Sequence, residues 1–268
     1  MADVDLSGYF DNIRHDRMLE KVARRVQDGK VLAMVKQYLK SNGPRGIPQG
    51  SPLSPLLANV ALTDLDRALD RGADFITYVR YLDDMVVLAP DSERGRRWAD
   101  RALERIRSEA AAIGVSLNAE KTRMVTVTDR GALFSFLGFD LRWVRSEKTG
   151  KWYPCTSPRP KKLTTLLRKV RKSLRTNRHL AVRDAVAQVN PIVRGWVNYF
   201  RAGHSSQAFG KVKCRVECKV RRFAAKQSKR TGFGWKRWSS EIVYGSWGLF
   251  DDYSLAYKAK ARASGTES

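Results

Sequence analysis

The charges of this chain are unevenly placed, and that feature narrows its possible folds more than any other. Residues 1–150 carry 24 basic and 21 acidic side chains, whereas residues 151–268 carry 27 basic and only 6 acidic ones. A nearly balanced half can fold as an ordinary globular domain with carboxylates to spare for chemistry. A half with so few acids cannot neutralise its own cations and calls for an external polyanion, nucleic acid first. The whole chain of 268 residues has 51 Lys plus Arg against 27 Asp plus Glu, a formal net charge of +24. Its 43% of hydrophobic residues suffices for one large core or two modest ones. No apolar run approaches the roughly 20 residues of a membrane span, and no signal-peptide pattern opens the chain. Three cysteines make no disulfide framework. A cytoplasmic, nucleic-acid-associated protein with no membrane partner is expected.

The patterns predict an α+β front half with a small antiparallel sheet. Asp3 to Leu6 is strand-like, and Asp16 is placed as the cap of a helix with Met18, Leu19, Val22 and Val26 on one face. A second helix carries Val31, Leu32, Val35 and Leu39. Residues 46–50 form a loop, after which Ser54 and Pro55 open a helix expected to reach Asp70. Residues 77–89 read as a hairpin with Asp83 and Asp84 at its tip. Ser92 starts a helix that Gly114 ends. Residues 115–118, 124–127 and 134–141 are three further strands. The proline-bearing stretch 142–160 reads as a linker, and from Pro160 the pattern turns helical.

Acids are common at hairpin tips, so Asp83 and Asp84 have an ordinary reading. Apolar strand on both sides sharpens a second one, because two adjacent carboxylates held rigidly at a sheet's end are costly unless a cation neutralises them. Asp5, at the end of another short strand, can converge on the same point. Three carboxylates suit Mg²⁺, which favours oxygen ligands, and two such ions serve phosphoryl transfer.

Several segments, in order, resemble the reverse-transcriptase palm. They are Asp5-Leu6-Ser7-Gly8-Tyr9-Phe10-Asp11, Gly46-Ile47-Pro48-Gln49-Gly50-Ser51-Pro52-Leu53, Tyr81-Leu82-Asp83-Asp84, Gly114-Val115-Ser116-Leu117-Asn118 with Glu120-Lys121-Thr122, and Phe136-Leu137-Gly138-Phe139. Val193-Arg194-Gly195-Trp196-Val197-Asn198-Tyr199-Phe200, Phe233-Gly234-Trp235-Lys236-Arg237-Trp238 and Gly248-Leu249 resemble the maturase, or thumb, segment of group II intron-encoded reverse transcriptases. The resemblance implies a palm over 1–141 and a helical maturase or thumb domain over 161–253; the proline-bearing 142–160 reads as the linker between them and 254–268 as a disordered tail. It implies Asp5 and Asp83 as principal ligands of two Mg²⁺ ions, completed by Asp84. Phe10 would lie under the sugar of the incoming nucleotide, Gln49 and Gly50 would shape the nucleotide and template pocket, and Lys121 would stand near the active site. Leu137 and Gly138 would form the turn that holds the primer end. The implied partners are RNA, whether intron or template, a DNA primer and deoxynucleotides.

The resemblance starts almost at the first catalytic strand, so the fingers region of the family is expected to be missing or supplied by a separate chain, and polymerase activity alone is expected to suffer. Leu82 stands where intron enzymes usually carry alanine, and no Cys and His pairs follow Leu249 to build an appended endonuclease. Read without the resemblance, Tyr9 and Phe10 fit a core, Lys121 a surface, and His15, His179 and His204 structural positions. Cys214 and Cys218 lack a second pair.

In the basic half, Leu163, Leu166, Leu167, Val170 and Leu174 make an apolar stripe, with Lys162, Arg168, Lys169, Arg171, Lys172 and Arg175 on the other faces. These, together with Arg194, are the RNA-binding candidates. Lys211, Lys213, Arg215, Lys219, Arg221, Arg222, Lys226, Lys229 and Arg230 extend the patch, and binding is expected to weaken steeply with salt. Trp196, Trp235, Trp238 and Trp247 read as core, with room for one exposed ring to stack on RNA. A non-catalytic RNA-binding splicing cofactor, or a domesticated remnant, is the alternative to a polymerase.

Overall fold

The computed structural model describes residues 1–70, 75–129 and 131–256. The chain divides into two compact units, Met1–Val127 and Thr128–Ser268. In the first, β1 (Ala2–Val4) and β2 (Leu6–Ser7) lead into α1 (Tyr9–Asn12), α2 (His15–Ala23) and α3 (Gly29–Lys40). Then come α4 (Leu53–Ala61), α5 (Thr63–Asp70), the hairpin β3 (Thr77–Tyr81) and β4 (Asp84–Leu88), α6 (Glu93–Ala112), β5 (Ser116–Leu117) and β6 (Arg123–Met124). The main sheet has the order β3-β4-β1-β6, antiparallel throughout, and β2 pairs with β5. Strand alternation sets the two faces: Ala2, Val4, Met85 and Val87 point into a core shared with Leu57, Leu65, Ile106 and Ala110. Asp3 and Asp5 fall on the opposite face.

Three local expectations are corrected here. Asp16 does not cap α2; its carboxylate accepts from the Arg14 guanidinium, and Arg14 holds the cap position without a side-chain bond. Ser54 lies inside α4 rather than before it. Pro52 occupies the cap, and the buried Ser54 hydroxyl turns inward to the Pro48 carbonyl and the Tyr38 hydroxyl. The expected single helix to Asp70 is two helices, because Leu62, buried in the core, takes φ −96° and ψ 6° and helical bonding restarts at Thr63. By contrast, Ser92 accepts from the Gly95 amide as an N-cap and Gly114 takes φ 85° after α6, as the sequence predicts.

The second unit opens with an antiparallel sheet of β7 (Phe134–Phe136), β8 (Phe139–Arg145) and β9 (Trp152–Pro158). Residues 134–141 are therefore two strands around a turn, and 142–160 is a hairpin in place of a linker. Pro154 and Pro158 permit this because β9 is the edge strand, where a missing N–H breaks no ladder. Buried Asp140 anchors the sheet, accepting from the Ser135 hydroxyl at 2.6 Å and facing Arg159 at 3.4 Å. α7 (Pro160–Thr176), α8 (Val182–Phe200) and α9 (Ser206–Gln227) follow, then a π-helical turn at Glu241–Ser246. Leu166, Val170 and Leu174 of α7 pack with Val186, Val189, Val193 and Val197 of α8 and Val212, Val216 and Val220 of α9. The spacing of three and four puts each set on one stripe.

The tail expected from residue 254 is anchored at Leu255, which is buried, and by the Ala256 amide on the Arg201 carbonyl. From residue 257 that expectation lies outside the described residues. Among the described residues no helix is long and apolar enough to cross a membrane.

Candidate active site and nucleic-acid interface

Register assembles the carboxylates. Val4 pairs with Met85 in the last pair of the β1–β4 ladder, so Asp5, which follows Val4, and Asp84, which precedes Met85, leave the ladder at the same end, next to Asp83 in the two-residue tip. Asp84 has its pKa raised, first by partial withdrawal from water and then by the negative charges of Asp83, Asp5 and Asp3. Asp3, two residues before Asp5 on the same strand face, has its own pKa raised by burial, against the pull of Arg123 at 3.5 Å. The tip is braced from below. The Arg80 guanidinium donates to Asp66, to Asn59 Oδ1 at 2.9 Å and to the Leu82 carbonyl at 3.0 Å. Leu82 itself sits at φ 57°, a left-handed conformation costly for a non-glycine residue.

The loop over 118–122 closes on Asp5. The Asn118 amide donates to the Asp5 carbonyl at 2.8 Å, and Asn118 Oδ1 accepts from the Glu120 and Lys121 amides. This turn brings Lys121 Nζ to 3.4 Å from Asp5 Oδ2. The 46–50 loop docks on α1 through Gly46, whose φ is 86° and whose missing side chain lets the Phe10 and Asp11 carbonyls approach. A Cβ there would meet those oxygens at 2.7 and 2.8 Å. The Ile47 amide donates to the Phe10 carbonyl at 2.7 Å, and Gln49 Nε2 reaches Asp11 Oδ1 at 3.3 Å. Tyr9 is core, with its hydroxyl on the Ala58 carbonyl; Phe10 stands half-buried against it, edge to face. Gln49 and Gly50 are exposed.

In the second unit, Leu137 and Gly138 form the β7–β8 turn, with φ 47° and 84°. Two positive φ values in a two-residue loop are the mark of a type I′ hairpin turn. Tyr199 donates to the Leu137 carbonyl at 2.7 Å, and the Lys162 side chain covers the bare Cα of Gly138. The basic candidates separate. Arg168, Arg171, Lys172 and Arg175 line one depression together with Arg178. Lys169 is exposed on α7, and Arg194 lies on α8, 5.8 Å from the Phe250 ring centre. Arg221 leaves the expected patch: it is 2% exposed, paired with Glu217 at 2.8 Å and donating to the Trp238 carbonyl.

Residues 1–141 match the profile of the reverse transcriptase (RNA-dependent DNA polymerase) family, and residues 163–241 that of the group II intron maturase-specific domain. The chain belongs to the reverse transcriptase family. Beside that domain the chain carries a segment of the group II intron maturase-specific type, the domain pair expected of intron-encoded reverse transcriptases. Protein YkfC of Escherichia coli (strain K12) is 27% identical over 63% of this chain and 55% of its own length. The group II intron-encoded protein LtrA of Lactococcus lactis subsp. cremoris is 35% identical over 24% of this chain and 12% of its own length. The retron Mx65 reverse transcriptase of Myxococcus xanthus is 41% identical over 31% of this chain and 19% of its own. The chain thus spans about half the length of the first of these relatives and less of the others.

Reverse transcriptase domains generally use divalent metals. The donor set here suits a hard cation: the carboxylates of Asp5, Asp83 and Asp84 repel one another, and a cation would relieve that repulsion. The side chains nonetheless stand apart. Among the described residues no three acidic, His or Cys side chains close on one point, and the Lys121 ammonium neutralises Asp5 instead. Sequence reasoning missed Asp3, Arg80 and Arg178. The strand period of two would have placed Asp3 beside Asp5; nothing local marks Arg80 or Arg178.

Proposed function

We propose that the first unit carries out RNA-templated DNA synthesis and that the second grips RNA, with intron RNA as the natural partner. The reaction is attack of a primer 3′-hydroxyl, which gives up its proton, on the α-phosphate of a deoxynucleotide, with release of pyrophosphate. The observation that carries this reading is that Asp5, just past the last β1–β4 pair, and Asp83 and Asp84, at the hairpin tip, fall at one end of the sheet. Asp5 and Asp83, completed by Asp84, would hold two Mg²⁺ ions that activate the attacking oxygen and stabilise charge on the leaving one. Phe10 would carry the nucleotide sugar, Gln49 and Gly50 would bound its pocket, and Lys121 would pass from Asp5 to the phosphates. Leu137 and Gly138, rigid in their turn, would hold the primer end. Rigid positioning is what such a site contributes most.

Primer extension on an RNA template with Mg²⁺ and deoxynucleotides tests the reading, with Asp83→Asn beside the unaltered chain. Extension that Asp83→Asn removes while RNA affinity stays within about twofold supports it. Tight, salt-sensitive RNA binding with no extension by the unaltered chain replaces it with a non-catalytic RNA-binding splicing cofactor.

A further inference from the structure

Several observations meet at one place on the second unit. α7 and α9 enclose a groove of about 710 Å³ lined by Arg171, Arg175, Arg178, Lys219, Arg222 and Lys226, with no acidic side chain in the lining among the described residues. Burial and the charges of Arg171, Arg222 and Arg215 lower the Lys219 pKa, as expected where positive charge has no counter-charge. Arg222 belongs to the groove, and its guanidinium also lies 4.3 Å from the centre of the Phe233 ring. Phe233 and Trp235 stand 6.2 Å apart, centre to centre. The Trp235 indole is backed by Arg221 at 4.2 Å, itself fixed by Glu217 and by the Trp238 carbonyl. Trp235 is 52% exposed, whereas Trp196, Trp238 and Trp247 are half-buried.

A large ring held rigidly at the surface by a buried cation has already lost its rotamer freedom, so stacking on it forfeits little further entropy. We propose that the α7–α9 groove and the Phe233–Trp235 shelf together bind single-stranded RNA, with phosphates along Arg171, Lys219 and Arg222 and one unpaired base stacked on Trp235. The inference rests on the RNA-binding reading above and adds the strand type. A duplex offers the groove the same phosphates but keeps its bases stacked inside, away from a projecting ring. Single-strand binders commonly combine such a basic track with an aromatic platform.

The test compares fluorescein-labelled oligouridine of about 12 nucleotides, within the usual site size of such platforms, with a blunt RNA duplex of equal length, by anisotropy on the full chain. Trp235→Ala is expected to weaken oligouridine binding about 5- to 100-fold and duplex binding less than about twofold, while Trp235→Phe restores most of the loss. Joint Arg171→Ala and Lys219→Ala should weaken both probes. Because Trp235→Ala uncovers Arg221, the unaltered chain provides a second measurement: 5-bromouridine RNA should photocrosslink to the peptide carrying Phe233 and Trp235. Equal effects of Trp235→Ala on both probes, or crosslinks confined to other peptides, overturn the shelf and leave the RNA-binding reading standing. Failure of the unaltered chain to bind either probe overturns both.

Discussion

Arg80 is the residue whose loss should loosen the hairpin tip most. Its side chain is 11% exposed and its main partner Asp66 is 33% exposed. The fork donates to Asp66 through Nε at 2.8 Å and through Nη2, while Nη1 spans Asn59 Oδ1 and the Leu82 carbonyl. Arg80→Met keeps the stem and removes every one of these bonds. Hydrogen bonds to charged groups contribute about 1.5–3 kcal/mol each, and breaking a buried pair costs about 3–5 kcal/mol. Asp66 keeps some water, so the lower end applies: a loss of about 3 kcal/mol, or roughly 10 °C in Tm for a unit of this size. Arg80→Lys keeps the charge without the fork and should recover only about half. A double-mutant cycle with Asp66→Asn, followed by urea unfolding, should show at least about 1 kcal/mol of coupling. A loss under about 0.5 kcal/mol, or no coupling, would mean that the tip stands without the brace and that the assigned bonds contribute nothing net.

Other positions separate strain from space and charge. Gly46→Ala forces a Cβ to 2.7 Å from the Phe10 carbonyl at φ 86°, whereas Gly50, at φ 89°, faces open space. Gly46→Ala should therefore lose about 2–3 kcal/mol and Gly50→Ala about 1 kcal/mol, compared by thermal unfolding. Leu82→Val, β-branched at a positive φ, should be about 1 kcal/mol less stable than Leu82→Ala despite its closer size, an order that urea midpoints would reveal. Asp84→Asn should stabilise the metal-free chain at neutral pH. The folded-state pKa of Asp84 is raised, so the wild-type penalty is absent below the unfolded value of 3.8 and complete above the folded one. The gain should vanish in unfolding at about pH 3, below the unfolded pKa, and added Mg²⁺ should stabilise the wild type more than the variant.

What was legible follows from how far each feature depends on its near neighbours. The hairpin over 77–89, the Ser92 cap and the valine and leucine stripes of α7 and α8 are written within a turn or a strand pair, and each is present. Acid at the hairpin tip and after the first strand was readable locally, and the β1–β4 register brings those two chain segments to one end of the sheet. The β8–β9 hairpin was not, since Pro154 and Pro158 argue against strand until the sheet order makes β9 an edge. Arg221 reads as one more surface cation because its burial depends on Glu217 four residues before it and on a carbonyl of Trp238 in a stretch without periodicity.

The basic groove shows the same boundary from the other side. Arg171 and Arg175 are visible on α7 and Lys219 and Arg222 on α9, but a helix read alone assigns each to its own solvated face. Only packing turns two faces into one unneutralised cleft, in which burial and Arg171 of α7 help lower the pKa of Lys219 on α9. The charge imbalance of residues 151–268 therefore favours a polyanionic partner. The choice between duplex and single strand belongs to the α7–α9 contact and to the ring that Arg221 holds beside it.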